Sequence, residues 1–560
     1  MNWNKDWDEV AGLWSKTGPG HTVETKNLKI LHPGPDAASR LLEAARRNAL
    51  GEIDSERVLR SLYGMQWKKP DGFYGCMKWY LEEDNVCDGN AGFFTGLSLI
   101  ILRICFYEHL NPSSRKVLDD ILAGLNVWFR NALQYAEFYY PNKYLGDLAC
   151  KWLLLEILGN SPEDDFLPDQ MREAASYYQN HHWGWGEHLS DGYCTVCLNE
   201  LSLLLLLSKQ LPEDLRRSYR QLTGELLEIE DIFAGGPRVP ALRSYAFTAP
   251  EEHEFFRDSV TADKPEETVF YNMPDLGPLL YEWGWHDVMP PRKKTQRDIR
   301  IPCFAGSMAT ARVEKDIRLG VMSRFPLMPT AEHATWGLAW QCFPVAISRG
   351  KTDWGFLQWE TQEGGRLHAH PANGGPNAHI PKALSDAMNP PVFGQTFALQ
   401  RGPNALILRV MREIPQSWES ITDRFRLLSM TADVEELNMA GWHQILLNYP
   451  ERVVSVSFIP LSECEESSLV HTSANGLDWN HSLTGDSPLL HNQRMILHLW
   501  AVSLDGKIDS PPNITVLKHH NEPRSKEERI RVIDWKWKNT RWHVTIDPLS
   551  DNIMQEIPEP

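Results

Sequence analysis

Twelve consecutive residues, Tyr177-Tyr178-Gln179-Asn180-His181-His182-Trp183-Gly184-Trp185-Gly186-Glu187-His188, bring together the Asn180 amide, three imidazoles, two indoles and a carboxylate, and Asp191-Gly192-Tyr193 follows at once. Removing a proton beside a sugar carboxylate needs that inventory: a donor that neutralises the carboxylate, a base near neutral pH, and flat aromatic faces on which pyranose rings can lie. The glycines and histidines flanking Trp183 and Trp185 place both indoles in a loop. The structural alternative is a Trp/Gly-rich turn whose histidines are merely hydrogen-bonded.

Other segments offer groups of the same kind. Arg238-Val239-Pro240-Ala241-Leu242-Arg243-Ser244-Tyr245 sets two guanidiniums near a phenol after the Gly235-Gly236-Pro237 turn, and arginine binds carboxylates in a bidentate fork. Tyr271 lies in Phe270-Tyr271-Asn272-Met273-Pro274, and Tyr139 to Asp147, with Asn142 and Lys143, reads as a polar loop entering an apolar helix. Asp84 to Asn90 reads as a helix cap or the polar lip of a substrate cleft. His333 and the pair His368 and His370 are the notable polar groups of the C-terminal half; the pair's spacing suits a metal, but a third ligand is missing, so no metal is expected. Cys194 and Cys197 form a lone CxxC in an apolar helix and read as core residues.

The elements that must position these groups divide the chain in two. From Asp36 to Glu282 apolar residues recur at three- and four-residue spacings. Helices are expected over 37–49, 55–63, 90–109, 113–136, 144–158, 168–178, 193–210 and 213–229, as a string of hairpins that curl into a solenoid or closed toroid. After Pro290-Pro291-Arg292-Lys293-Lys294 the period changes to that of strands, over 307–314, 317–324, 338–347, 355–361, 396–400, 405–409, 453–459, 493–503 and 542–546. The expected organisation is a helical (α/α) toroid over 1–290, a linker over 291–300 and an antiparallel β-sandwich over 301–560.

At 560 residues the chain is long enough for two cores, and its net charge of -18 argues against nonspecific binding to nucleic acid or to an anionic membrane. No apolar run reaches a membrane span of about 18 residues. The N-terminus lacks the apolar stretch of a secretory signal, and nine cysteines without metal-finger spacing suit reduced thiols, so a cytoplasmic location is expected.

Helices followed by strands, the adjacent Asn180-His181 pair, the aromatic setting of Trp183 and Trp185, and the Tyr139 to Asp147 segment together resemble the polysaccharide lyases that include chondroitin, heparin, alginate and glucuronan lyases. The resemblance implies β-elimination on a uronic-acid-containing poly- or oligosaccharide without an organic cofactor. It implies that Asn180 neutralises the uronate carboxylate and that His181 is the base, with His182 as the competing assignment. Tyr245, supported by Arg243, is the expected proton donor to the leaving oxygen, with Tyr271 as alternative. Trp183, Trp185, Glu187, Arg238, Asn142, Lys143 and His333 are the expected substrate contacts. Two rivals remain. An (α/α) toroid also hosts inverting glycoside hydrolases, which would draw their paired carboxylates from Glu187, Asp191 and Asp147. A non-catalytic carbohydrate-binding protein, or a repurposed biosynthetic enzyme, would use the same scaffold.

Overall fold

The computed structural model describes residues 2–136, 138–184, 186–234, 236–242, 256–262, 276–292, 297–325, 343–350, 353–370, 394–412, 414–429, 431–439, 441–472, 476–485, 488–517 and 525–558. The chain forms two compact units, one from Met1–His188, Gly192–Glu230 and Glu254–Lys293, the other from Leu189–Asp191, Asp231–His253 and Lys294–Pro560.

Every helical segment expected from the periodicity forms. These are α1 (Gly34–Arg46), α2 (Ser55–Met65), α3 (Ala91–Cys105), α4 (Pro112–Gln134), α5 (Pro141–Leu158), α6 (Leu167–Asn180), α7 (Asp191–Leu207) and α8 (Glu213–Ile232). Local chemistry sets several boundaries. Asp54 accepts from Arg57 N at 3.0 Å and Asn111 from Ser114 N at 2.8 Å, each satisfying an orphan donor in the first turn. Pro112 and Pro141 occupy the first helical position, where no N–H is needed. One expectation is corrected: Asn142 and Lys143 lie in the first turn of α5, not in a loop, because Pro141 starts the helix three residues earlier than the apolar pattern suggests.

Alternate helices are neighbours. α1 packs on α3 and α3 on α5, α2 packs on α4, and Gly146 of α5 lies against Phe93 of α3 and Glu200 of α7. The odd-numbered helices thus make an inner layer and the even-numbered an outer one, the (α/α) toroid arrangement. α3 is buried all round from Ala91 to Leu102, whereas α4 buries a single stripe through Val117, Leu118, Ile121, Leu122, Leu125, Trp128 and Phe129. Cys194 and Cys197 are buried on α7 as free thiols.

The second unit is antiparallel β. Among the described residues its largest sheet has nine strands, in the order Glu466–His471, Leu477–Thr484, Trp418–Ser429, Asp353–Glu363, Val345–Arg349, Ile317–Met322, Met308–Val313 and Asp298–Pro302, with Arg366–His370 also on Asp353–Glu363. A seven-stranded sheet follows the order Asp433–Met439, Trp442–Asn448, Val453–Pro460, Met495–Ser503, Asn404–Arg412, Gln395–Arg401 and Arg324–Phe325. Alternation along its strands gives it two apolar faces. Ala405, Ile407, Trp500 and Val502 join Leu319, Ile347, Phe425 and Trp479 of the large sheet in one core. Leu406, Leu408, Leu499 and Ala501 face the other way, onto Ile533, Trp535, Trp542 and Val544. Those last residues belong to a four-stranded sheet of Asn513–Val516, Arg531–Trp537, Thr540–Ile546 and Met554–Glu556. The sandwich therefore carries a third layer.

Between the two larger sheets sits a buried carboxylate. Asp423 accepts from Arg409 Nη2 at 2.9 Å and from Trp500 Nε1 at 2.9 Å, and its Oδ2 lies 3.1 Å from His498 Nδ1. Burial alone would raise this carboxyl, but the Arg409 charge and the His498 contact outweigh it and hold it below the usual range. Arg409→Met should strand the charge and destabilise the unit by about 3–5 kcal/mol. In chemical denaturation, Arg409→Met with Asp423→Leu should recover much of that loss. Additive losses in the double variant would contradict a coupled pair.

Candidate active site

The N-terminus of α5 lacks a cap from its own N-cap residue. Tyr140 at the N-cap makes no side-chain capping bond. Glu187, from the connection between α6 and α7, supplies the acceptor: Oε2 takes the Asn142 backbone N–H at 2.8 Å, and Oε1 takes Asn142 Nδ2. Both side chains are buried. A carboxylate is favoured at a helix N-terminus by the exposed N–H groups and the macrodipole, which is what makes a buried ion tolerable here.

Two further contacts tie the connections together at this end. Gly184 has φ +62°, and a Cβ there would lie 2.5 Å from Tyr139 O, so only glycine allows the approach. Asn90 Nδ2 donates to Tyr140 Oη at 2.9 Å. Three connections, those preceding α3, α5 and α7, therefore meet at one end of the helical unit. Sequence reasoning missed the Asn90–Tyr140 pair because Asn90 reads equally well as a cap.

The groups singled out in the sequence take distinct positions on this end. Asn180 is the exposed last residue of α6, and its Nδ2 donates to Ser176 Oγ at 3.1 Å. His181 is exposed, its N–H closes the helix on Tyr177 O at 2.8 Å, and its ring lies 4.5 Å from that of Tyr177. His182 is half-buried. His182 and Trp183 have φ of +49° and +63°, left-handed values that cost a non-glycine residue about 1–2 kcal/mol. Such strain clusters at functional sites. Trp183 is 4% exposed and stacks on Tyr178 at 5.0 Å and 13°, so its indole face is taken up in packing. Arg238 is buried in the second unit. His368 and His370 lie on Arg366–His370, opposite Thr361 and Trp359. Trp185, Arg243, Tyr245, Tyr271 and His333 lie outside the described residues. Among those described, no three His, Cys, Asp or Glu side chains are placed to hold a metal.

Beneath the rim lies a cluster of carboxyls. Asp147 pairs with Lys143 one turn away on α5. Glu200 on α7 is fully buried, and neither of its oxygens has a hydrogen-bond partner among the described residues. Burial first, and then the charges of Glu187 and Asp147, push Glu200 well above the usual carboxyl range. Its signal in the sequence is a lone carboxylate beside the apolar run Leu201 to Leu207.

No protein-family model matches the sequence, and no curated protein matches it. Among solved structures the chain is similar to heparinase III, with 10% identity over 91% of this chain and 82% of that one and a TM-score of 0.45. It is also similar to a mutant of heparan sulfate lyase HepC from Pedobacter heparinus, at 10% identity over 92% and 95% of the chains, with a TM-score of 0.26. Endoglucanase CelQ from Clostridium thermocellum, complexed with cellotriose, matches at 12% identity over 90% and 89%, with a TM-score of 0.23.

The buried cluster makes a pH-dependent contribution to stability. Burial raises Asp147 from 3.8 to about 6, against the opposing pull of Lys143. A carboxyl raised in the folded state stabilises fully below the unfolded value and loses that share as pH rises through the folded one. The stability of wild type relative to Asp147→Asn should therefore fall between pH 3.8 and about 6 and level off above. A difference that is constant, or that grows with pH, in denaturation curves of the two proteins would contradict the buried, destabilised carboxylate.

Proposed function

We propose that the protein is a lyase that cleaves a uronic-acid-containing poly- or oligosaccharide by β-elimination. The observation that carries this reading is the exposed amide and imidazole of Asn180 and His181, with His182 on left-handed backbone beside them, at the end of the helical unit where three connections meet. In the reaction the Asn180 amide donates to the uronate carboxylate and stabilises the charge that develops there. His181 or His182 takes the C5 proton. The released electron pair forms the C4=C5 double bond as the C4–O bond breaks, and the leaving oxygen takes a proton from a phenol. Tyr245 or Tyr271 has that role by residue type.

Elimination is favoured over hydrolysis by the state of two of the three candidate carboxylates, Glu187 and Asp147; the Asp191 side chain lies outside the described ones. An inverting hydrolase needs two carboxyl groups facing the scissile bond across a water. Glu187 spends both oxygens on Asn142, and Asp147 is buried against Lys143.

The test is the ultraviolet absorbance of the conjugated product on a panel of polyuronates. His181→Ala, His182→Ala, Asn180→Ala and Tyr245→Phe should be compared in variants shown to be folded. The variants of the true base and acid should lose about 10²–10⁴-fold in kcat with substrate binding largely kept. Combining base and acid variants should cost less than the product of the single losses, because both act in one step. Hydrolytic products without absorbance, or near-wild-type turnover in every single variant, would overturn the reading.

A further inference from the structure

The connection between α2 and α3 carries an exposed tip, Lys68-Lys69-Pro70-Asp71-Gly72-Phe73-Tyr74, that the reaction above does not use. It is held rigidly from below. Gln66 Nε2 donates to Gly75 O at 3.0 Å and to Ile121 O at 2.8 Å, and Trp67 and Cys76 join through a backbone bond of 2.8 Å. Gly75 has φ +86°, and a Cβ there would lie 2.0 Å from Gly124 O of α4, so glycine lets the loop press onto the helix. Asp71 is consumed inside the tip, accepting from Trp67 Nε1 at 2.8 Å and from Phe73 N at 2.9 Å.

What the rigid tip presents is aromatic and cationic. Phe73 and Tyr74 are 42% and 39% exposed. Phe73 stacks on Trp128 with ring centres 5.8 Å apart at 18°, and Lys143 Nζ lies 5.3 Å from the centre of that indole. The tip is thereby continuous with the first turn of α5, which Glu187 caps. Lys68 Nζ sits 3.1 Å from the centre of the Tyr63 ring and Lys69 Nζ 4.4 Å from that of Trp67, so both long side chains are held before any ligand arrives. Neither ammonium is within ion-pair distance of a described carboxylate. Burial lowers Lys68 to about 8 despite the opposing charge of Asp120, as expected of an ammonium short of an anionic partner. On a chain of net charge -18, an ordered pair of lysines that forms no direct ion pair among the described residues, beside two exposed rings, departs from the rest of the composition.

We propose that this tip is a binding subsite for an anionic polysaccharide, away from the reacting sugar, in which Phe73 and Tyr74 stack on pyranose rings and Lys68 and Lys69 meet carboxylate or sulfate groups. The choice of a saccharide rests on the lyase reading above; the binding itself does not require turnover. Its role is to retain a long chain while one linkage reacts.

The experiment compares wild type with Phe73→Ala/Tyr74→Ala and with Lys68→Gln/Lys69→Gln, all at surface positions. Affinity is measured by titration calorimetry for an unsulfated polyuronate, a sulfated polyuronate, a neutral glucan and single-stranded DNA, and turnover is measured on the shortest cleavable oligosaccharide. Each double variant should lose about tenfold in affinity for the long anionic chain, and the lysine variant should show a flatter dependence on salt. Turnover on the shortest substrate should stay at the wild-type level. A loss confined to the sulfated chain identifies sulfate as the recognised group; equal losses on both anionic chains identify the carboxylate. Unchanged long-chain affinity in both variants would overturn the proposal, as would an equal loss for neutral glucan or DNA. If the anionic chain binds through the tip but no unsaturated product forms, the subsite stands and the lyase reading fails. If product forms and affinity ignores the tip, the reverse holds.

Discussion

The Glu187 carboxylate at the start of α5 is the point on which the arrangement of the helical unit's functional end turns. A helix that opens on Tyr140 and Pro141 has no side-chain acceptor of its own for its first free N–H, and an unsatisfied buried donor costs about 1–3 kcal/mol. The acceptor comes from the connection before α7. Because Glu187 is buried, it is tolerable only where donors and a helix N-terminus meet it, and that requirement fixes the connection against α5. Gly184 can then sit on Tyr139 O, and the residues at the end of α6 are held on the rim. The same carboxylate acts on its surroundings through charge. With Glu187 and Asp147 nearby and no donor among the described residues, the Glu200 carboxyl is pushed well above the usual range.

Two buried carboxyls meet opposite fates. Asp423 is given an arginine, an indole N–H and an imidazole, and remains ionised while linking the nine-stranded and seven-stranded sheets. Among the described residues Glu200 is given none of these, and its carboxyl is pushed well above the usual range. Both outcomes obey one rule, that the low-dielectric interior keeps an ion only where specific partners replace water. The β unit uses the rule for cohesion. The helical unit follows it both ways, pairing the buried Asp164 with Lys151 and Arg130 and pushing the unpartnered Glu200 well above the usual carboxyl range.

The helices were readable in the sequence because their apolar stripes are long and regular, as in α4 with Val117, Ile121, Leu125 and Trp128. The strands were less so. Trp418–Ser429 carries Glu419, Asp423, Arg424 and Arg426, which hides its alternation, yet Arg424 and Arg426 find Asp478 across the sheet and Asp423 finds Arg409 in the core. Partners 14 or more residues apart cannot be inferred from a local pattern. The third β layer escaped notice for a related reason: Asn404–Arg412 is apolar on both faces, and a continuous apolar run tells nothing about what covers the second one. At the candidate site the richness of 177–188 was visible, but its division of labour was not. Glu187 looks like a catalytic carboxylate in the sequence and is engaged as a cap in the structure. Trp183 looks like a sugar platform and is stacked on Tyr178.

His182 and Trp183 show how that division arises. A helix that must leave through left-handed backbone ordinarily does so on glycine, and glycines stand nearby at Gly184 and Gly186. For Trp183 the cost of the conformation is offset by burying a large ring face to face with Tyr178. His182 has no such stacking partner: its side chain is half-buried, and what it gains is the charge interaction with Glu225. Glycine there would relieve the strain but lose the Glu225 interaction. Under the lyase reading proposed above, proton transfer at the rim would account for an imidazole at that position, which keeps His182 beside His181 as a proposed base.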